Sequence, residues 1–195
     1  MIICWDSLNR KDCIIEEKIN FKSEISILLA RNQNAEIEFY DPTLNTHKNG
    51  ILEFSQVPAT IDSDIVFEAK KISAIIANSL QHVGVLCIEM FLAENDDLLV
   101  NEIAPRVHNS GHWTLDGSNT DQFEQHIRCI CGLKLGNSYR HSDVKMQNLL
   151  GKEILEAEKK LADSDFKLHV YGKKEIKENR KMGHISYLSN KTPNK

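Results

Sequence analysis

The sequence predicts an α+β fold, because its strands and helices do not alternate in the strict order of a parallel sheet. Two patterns carry this prediction. Several short β-branched runs are separated by only a few polar residues, which is typical of strands joined as hairpins. Residues 62–83 place apolar side chains at helical spacing and form the longest predicted helix. The 195 residues are 41% hydrophobic and 27% charged, a composition typical of a globular protein with an ordinary core.

The first part of the chain is predicted to be mainly β, followed by the long helix. The predicted strands, which share β-branched or alternating apolar residues, are residues 13–19, 24–30, 35–41 and 51–54. Residues 20–23 separate the first two strands, and residues 42–50 are predicted to be a loop. Asp62 or Ser63 can cap the helix that begins there.

The middle of the chain is predicted to form a second hairpin. Residues 84–91 and 98–103 are apolar strands joined by a polar turn at residues 93–97. A loop over residues 105–119 follows, and then a helix over residues 120–131 that stops at a glycine.

The last part of the chain is predicted to contain three strands and one helix. A strand at residues 146–150 precedes a charged amphipathic helix at residues 152–161. Residues 166–171 and 184–188 are the final pair of strands, and the tail at residues 190–195 is expected to fray.

Composition excludes several classes of function. The net charge of −4 and the pI of about 6.1 do not suggest attraction to nucleic acid or membranes. No apolar run approaches the roughly 20 residues of a membrane span, and no signal peptide is evident. The five cysteines contain no Cys-x-x-Cys pair. We therefore expect a reduced, cytoplasmic protein with no nucleic-acid or membrane partner.

Two glutamates lie in the predicted second hairpin. Strand alternation puts Glu89 on the face of Val85 and Cys87, and both faces of its strand look buried. If the strands pair, Glu89 and Glu102 converge, and two hard carboxylates suit Mg²⁺. Arg106 follows closely, and an arginine beside a metal–phosphate site is what phosphoryl transfer needs. The alternative is that Glu89 pairs with a lysine while Glu102 faces solvent.

A concentrated polar loop follows the second glutamate. His108 and His112 are four residues apart and could share a helical face to bind zinc. Pro105, Ser110 and Gly111 argue against a helix there, so a loop that surrounds a small polar substrate is favoured. A surface turn is the other alternative. Trp113 is interpreted as the packing anchor of this loop.

These segments together resemble the PurK-type ATP-grasp ligases, the carboxyaminoimidazole ribonucleotide synthetases. The segments that carry the resemblance occur in family order and are residues 13–24, 46–52, 84–91, 101–114, 121–133, 171–173 and 180–184. One segment departs from the family pattern: Lys177, Glu178 and Asn179 stand where the family commonly has a proline–glycine turn. Ala104, as in PurK-type members, stands where the wider superfamily has a metal-binding asparagine.

The resemblance implies an architecture and a set of site residues. Residues 1–135 would be the C-terminal part of an ATP-grasp domain, an antiparallel sheet with flanking helices, and residues 136–195 a small β-rich C-terminal domain. The implied ATP-binding residues are Glu16, Glu17, Lys18, Ile19, Glu24, His47, Asn101 and Glu102. Glu89 and Glu102 would hold Mg²⁺, and Arg106 would be catalytic. The implied substrate-binding residues are His108, Asn109, Lys173 and Arg180.

The resemblance also implies a reaction. ATP would phosphorylate bicarbonate to carboxyphosphate, and aminoimidazole ribonucleotide would then be carboxylated in purine (IMP) biosynthesis. Members of the family are dimers and carry an N-terminal half with a glycine-rich lid. We expect this chain to lack that half, to expose apolar surface in its place, and to be inactive alone. A separate polypeptide could supply the missing half. The alternative is a nucleotide-binding remnant that performs no catalysis.

Overall fold

The computed structural model describes residues 5–6, 8–163 and 165–192, and within them one antiparallel sheet of nine strands dominates. The strands are β1 (Phe21–Arg31), β2 (Ile37–Phe39), β3 (Thr43–Lys48), β4 (Ile51–Val57), β5 (Gly84–Ala93), β6 (Leu98–Ala104), β7 (Ser142–Leu150), β8 (Lys167–Val170) and β9 (Lys181–Asn190). The helices are α1 (Ser63–Ser79), α2 (Thr114–Gly117), α3 (Gln122–Ile130) and α4 (Glu153–Lys160).

The sheet runs through both parts of the chain without interruption. Its order is β6-β5-β1-β3-β4-β7-β9-β8, and the short β2 pairs with β1. The pairing of β4 with β7, in which Phe54 lies opposite Gln147, joins the earlier strands to the last three. The C-terminal strands are therefore held by backbone hydrogen bonds to the site-bearing part of the sheet.

The core lies on both faces of the two central strands, β1 and β5. Their even and odd residues alternate between two apolar clusters, as the period of a strand requires. One cluster contains Leu28, Ala30, Val85, Cys87 and Trp113, and the other contains Ile25, Ile27, Leu29, Leu86 and Ile88 beneath α1. A third cluster packs α4 against β7 and β9. Because β5 is buried on both faces, any charged side chain on it needs a compensating partner.

Most predicted elements are confirmed, with two exceptions in the first part of the chain. The predicted strand at residues 13–19 is wrong: these residues have no regular secondary structure, and no described strand lies beside them to pair with their backbone. The predicted loop at residues 42–50 is also wrong, because β3 and β4 form a hairpin. Its turn is Asn49–Gly50, with φ of 52° and 74°. An Asn–Gly pair favours this tight turn.

The predicted loop at residues 105–119 contains two short helices, a 3-10 helix at Asn109–Gly111 and α2. The other differences concern the ends of elements. Residues 20–23, predicted to separate two strands, fall largely within β1, which begins at Phe21. The long helix ends at Ser79 because Gln81 adopts a left-handed φ of 48°. Within the described residues, no helix is long and apolar enough to cross a lipid bilayer.

We predict that Gly117→Ala destabilises the fold through overpacking. A Cβ at this position would lie 2.4 Å from Cγ2 of Val144, a stiff β-branched side chain with 2% exposure. Such overpacking costs about 1–3 kcal/mol of unfolding free energy, measured by urea denaturation. In a Val144→Ala background, where the clashing methyl group is gone, the same substitution should cost much less. Equal costs in both backgrounds would refute this explanation.

Candidate active site

Two glutamates lie side by side on neighbouring strands. Glu89 of β5 is directly opposite Glu102 of β6 and, on its other side, Ser26 of β1. Residues in this register have Cα atoms about 4.5–5.5 Å apart and point to the same face of the sheet. The predicted convergence of the two acids is confirmed. The register shifts at this point of β6, which makes Asn101 the extra residue of a bulge beside the acid pair.

Glu89 is the buried member of the pair. It is 8% exposed, and burial raises the pKa of its carboxyl group. The charge of His47 acts in the opposite direction, while Glu102 and Glu24 raise the pKa further. Among the described residues, no lysine or arginine nitrogen lies within 4.0 Å of Glu89, so the alternative of a lysine salt bridge is wrong. Glu102 is exposed, as that alternative expected.

A chain of buried polar groups supports Glu89 from the sheet. The Ser26 hydroxyl donates to Glu89 Oε1 at 3.4 Å, and the Asn45 amide donates to Ser26. The Ser55 hydroxyl donates to Asn45 Oδ1 at 2.9 Å. None of these three residues was predicted from the sequence. Their only signal was the presence of polar residues on strands that are otherwise apolar.

The residues implied in ATP binding fall into two groups. His47 Nδ1 lies 2.5 Å from Glu24 Oε2, on the adjacent strands β3 and β1. The charges of both also act on Glu89, which places them near the acid pair. The second group, Glu16, Glu17, Lys18 and Ile19, lies in the unpaired segment before β1. Its members are exposed, except for the half-buried Ile19.

The charges of both acids act on Lys181, whose side chain also interacts with two further cations, Lys173 and Arg106. Burial lowers the pKa of Lys181, the charge of Glu89 raises it, and Lys173 and Arg106 lower it further. Lys173 Nζ donates to the Lys181 carbonyl at 2.5 Å. Lys181 was missed as a site residue, although it lies next to Arg180 in a segment that carries the resemblance. Lys181 therefore links the acid pair to the neighbouring cations Lys173 and Arg106.

Arg180 follows a tight turn. Its backbone N–H donates to the Lys177 carbonyl at 3.1 Å, and Asn179 has a left-handed φ of 61°. Asparagine tolerates this conformation, so it can occupy the position where the family has glycine. The Arg180 guanidinium donates to the Glu175 carbonyl at 3.1 Å.

The polar loop follows β6, and His108 in this loop contacts Glu89. His108 Nδ1 lies 3.7 Å from Glu89 Oε1 and 2.9 Å from the Ser110 hydroxyl. Burial lowers the pKa of His108 to about 4, so its ring is neutral at pH 7. Asn109 Nδ2 is buried and has no hydrogen-bond partner among the described residues. Trp113 is fully buried and donates to the Thr43 hydroxyl at 3.0 Å, which confirms it as the anchor of the loop.

The zinc alternative is not favoured by this geometry. The loop forms a short 3-10 helix at Asn109–Gly111, and His112 Nδ1 contacts Gln122 while His108 Nδ1 contacts Ser110. The two ring nitrogens therefore have separate partners instead of converging on one point.

A second histidine cluster lies behind the loop. Ligand atoms of Asp116, His169 and His184 lie within 4.8 Å of one another. The two imidazole rings are stacked 4.4 Å apart at 11°, so their lone pairs lie in two separate, nearly parallel planes and cannot both point at one ion. His169 Nε2 is 2.9 Å from Asp116 Oδ2. The cluster is therefore a hydrogen-bonded ring stack, not a metal centre.

Comparison with known proteins agrees with this fold. The model of the ATP-grasp domain matches residues 2–123, and that of the phosphoribosylaminoimidazole carboxylase C-terminal domain matches residues 145–194. The chain belongs to the ATP-grasp family. More narrowly, it corresponds to the C-terminal part of the PurK type, which confirms the resemblance found in the sequence.

Individual relatives give the extent of the match. The N5-carboxyaminoimidazole ribonucleotide synthase of Brucella melitensis is 41% identical over 95% of this chain and 51% of its own length. That of Bacillus subtilis is 46% identical over 93% of this chain and 48% of its own. A crystal structure of an ADP complex of such a synthetase matches with a TM-score of 0.92 at 37% identity, over 97% of this chain and 51% of that one. The chain thus spans about half the length of these relatives.

We predict that stability falls as the pH drops from about 6.5 to about 4. Burial lowers the pKa of His112 to about 4 and that of His184 to about 3, whereas both titrate near 6.5 when unfolded. The unfolded chain binds more protons in this window, so acid favours unfolding, and the loss disappears above pH 6.5.

The variant His184→Asn tests this prediction, because asparagine can still contact the Tyr171 hydroxyl, which lies 2.8 Å from His184 Nδ1. Urea denaturation at pH 7.5 and 5.0 should show a pH-dependent loss smaller by roughly 2 kcal/mol in the variant. An identical pH dependence in both proteins would contradict the assignment.

Proposed function

We propose that this chain forms part of a ligase that uses ATP and Mg²⁺ to carboxylate aminoimidazole ribonucleotide with bicarbonate through carboxyphosphate. The observation that carries the proposal is the register of Glu89 with Glu102. His108 lies 3.7 Å from Glu89, and the charges of both acids act on Lys181, on which the charge of Arg106 also acts. Paired acids next to cations are the arrangement that phosphoryl transfer requires. The names of the relatives supply the substrate.

The acid pair fits a magnesium ion. Glu89 and Glu102 offer hard oxygen ligands from adjacent strands, and Glu89 is buried with no lysine or arginine nitrogen within 4.0 Å among the described residues. A carboxylate in that position is stabilised by a cation, which would offset the cost of its burial. When bound, the ion would neutralise charge on the phosphates of ATP. Asn101, at the bulge, is proposed to contact the nucleotide beside them.

ATP is proposed to lie along β1 and the segment before it. Glu24 and His47 form a hydrogen-bonded pair that would contact the ribose end of the nucleotide. The backbone at Glu17, Lys18 and Ile19 would contact the adenine, together with Glu16. This explains why a charged residue is tolerated at position 18, since a backbone contact does not depend on the side chain.

The cations are proposed to act on the transferred phosphate and on the ribonucleotide. Arg106, with Lys181, would stabilise the negative charge that develops as phosphate passes to a bicarbonate oxygen. Lys173 and Arg180 would bind the 5′-phosphate of the ribonucleotide, the arginine through its bidentate fork.

The loop is proposed to orient the imidazole ring. His108 is neutral at pH 7 and can offer a ring nitrogen without adding charge to the site. The amide donor of Asn109 is buried and makes no hydrogen bond to any of the described residues. Such a donor is costly to bury, and an acceptor on the substrate would satisfy it. The exocyclic amine of the ribonucleotide would then attack the activated carboxyl group, and phosphate would leave.

We further propose how the active protein is assembled. The ATP-grasp part would end near residue 135, and the small β-rich part would follow at residues 136–195. The lid and the rest of the substrate site would come from an N-terminal half, which a separate polypeptide could supply, in a cytoplasmic homodimer. On this proposal the purified chain alone shows little or no ADP release that depends on aminoimidazole ribonucleotide, and robust release would contradict it.

We predict that Glu102→Gln lowers Mg²⁺-dependent turnover at least roughly 100-fold, because a neutral amide is a poor magnesium ligand. The variant should keep its fold, since Glu102 is exposed on the edge strand β6. The measurement is ribonucleotide-dependent ADP release in a form of the protein that carries the N-terminal half. Glu94→Gln, at the exposed turn of the same hairpin, is the matched control. Near-normal rates for Glu102→Gln would remove it from the metal site.

We predict that Arg180→Ala raises the KM for the ribonucleotide roughly 10- to 100-fold, because it removes charge-assisted hydrogen bonds to a phosphate. The KM for ATP should not change. Lys177→Ala removes an exposed cation from the same turn and is the control. An effect of Arg180→Ala on ATP alone would overturn the phosphate assignment.

A further inference from the structure

Gln122, the first residue of α3, holds the backbone of the polar loop through two hydrogen bonds. Its Oε1 accepts from the His108 backbone N–H at 2.8 Å, and its Nε2 donates to the His108 carbonyl at 2.8 Å. Nε2 also lies 2.9 Å from His112 Nδ1. The side chain has no exposed surface. One buried amide therefore satisfies both backbone groups of His108, as a neighbouring strand would.

The position of Gln122 is itself set by its surroundings. Asp121 caps α3, with Oδ1 accepting from the backbone N–H groups of Phe123 and Glu124 at 2.7 and 3.1 Å. The Gln122 backbone N–H donates to the Thr114 hydroxyl at 3.1 Å. A Cβ at Gly111 would lie 2.7 Å from Gln122 Oε1, so the loop approaches the amide as closely as only glycine allows.

His112 connects this amide to the C-terminal hairpin of β8 and β9. Its ring is nearly parallel to Phe123 on one side (5.6 Å, 19°) and to His184 on the other (5.0 Å, 22°). His184 in turn stacks on His169 of β8. His184 belongs to β9, which begins at Lys181. The stacked rings therefore connect the polar loop to the strand that carries this lysine. Gln122 thus fixes His108 directly and the C-terminal hairpin through His112.

We propose that Gln122 is a positioning residue of the ligase site, which holds His108 and Asn109 towards the acid pair. Its catalytic consequence rests on the proposed function, but its effect on the loop does not. Gln122 does not touch the reacting groups; it acts through the backbone of His108 and the ring of His112.

Gln125, one turn further along α3, provides a matched control. It also has no exposed surface, its Oε1 accepts from the Gly136 N–H at 2.8 Å, and its Nε2 donates to the Gly136 carbonyl at 2.8 Å. Gln122 and Gln125 therefore make the same pair of bonds from the same helix to two different loops. Replacing either glutamine should destabilise the fold. Only replacing Gln122 should release residues 108–112.

The first experiment measures amide hydrogen exchange of the purified chain by mass spectrometry. Gln122→Met keeps the length of the side chain and removes its hydrogen bonds. It should speed exchange at residues 108–112 about tenfold, the change expected for one lost hydrogen bond. Gln125→Met should instead speed exchange around Gly136 and leave residues 108–112 unchanged. Unchanged exchange at residues 108–112 in Gln122→Met, or equal acceleration there in both variants, would overturn the proposal.

The second experiment measures ribonucleotide-dependent ADP release in a form of the protein that carries the N-terminal half. Gln122→Met should lower kcat/KM for the ribonucleotide roughly 10- to 100-fold at an unchanged KM for ATP. Gln125→Met should stay near wild type. Equal losses in Gln122→Met and Gln125→Met would overturn the positioning role.

The two experiments separate the two proposals. If the wild-type protein releases no ADP in response to the ribonucleotide, the proposed function fails, while hydrogen exchange still decides whether Gln122 holds the loop. If activity is present and Gln122→Met leaves both the exchange and the kinetics unchanged, the positioning role alone fails.

Discussion

The pairing of β5 with β1 on one side and β6 on the other is the constraint on which the site depends. This register aligns Ser26, Glu89 and Glu102 in one row across three strands. A shift of one residue would turn Glu89 to the opposite face, among the side chains beneath α1. The apolar residues on both faces of β1 and β5 oppose that shift. It would move each of them out of the cluster in which it is packed and onto the opposite face of the sheet. The core therefore holds the carboxylates together, although no core residue needs to touch a ligand.

The remaining half of the site consists of loops, and it is held by side chains. Trp113 is anchored on Thr43, and Gln122 bonds both backbone groups of His108. A loop with this many polar groups would be costly to bury if they lacked partners. The buried glutamine supplies those partners and leaves few degrees of freedom to the loop. Rigid strands on one side and a loop held by hydrogen bonds on the other form the two walls of the proposed site.

Much of the site was predictable, because the alternation of residues along a strand indicates which sheet face each side chain occupies, and the spacing of polar residues indicates the turns. The convergence of Glu89 with Glu102 followed from alternation and from the short polar turn between their strands. The role of Trp113 as an anchor followed from its place in a polar loop. By contrast, no local pattern in the sequence singled out Gln122, since its partner His108 lies 14 residues away. Ser26 and Asn45 were missed for the same reason, because a hydrogen bond between strands leaves no local pattern.

By itself, the sequence determined the α+β class, the paired acids, the family resemblance and most helix and strand positions, because these depend on interactions between near neighbours in the chain. Only the tertiary structure decided that residues 13–19 remain unpaired, that one sheet runs through both parts of the chain, and that Lys181 lies near Glu89 and Arg106. These outcomes depend on which strands find partners and on charges brought together from distant segments. Such interactions arise only when the whole chain has folded.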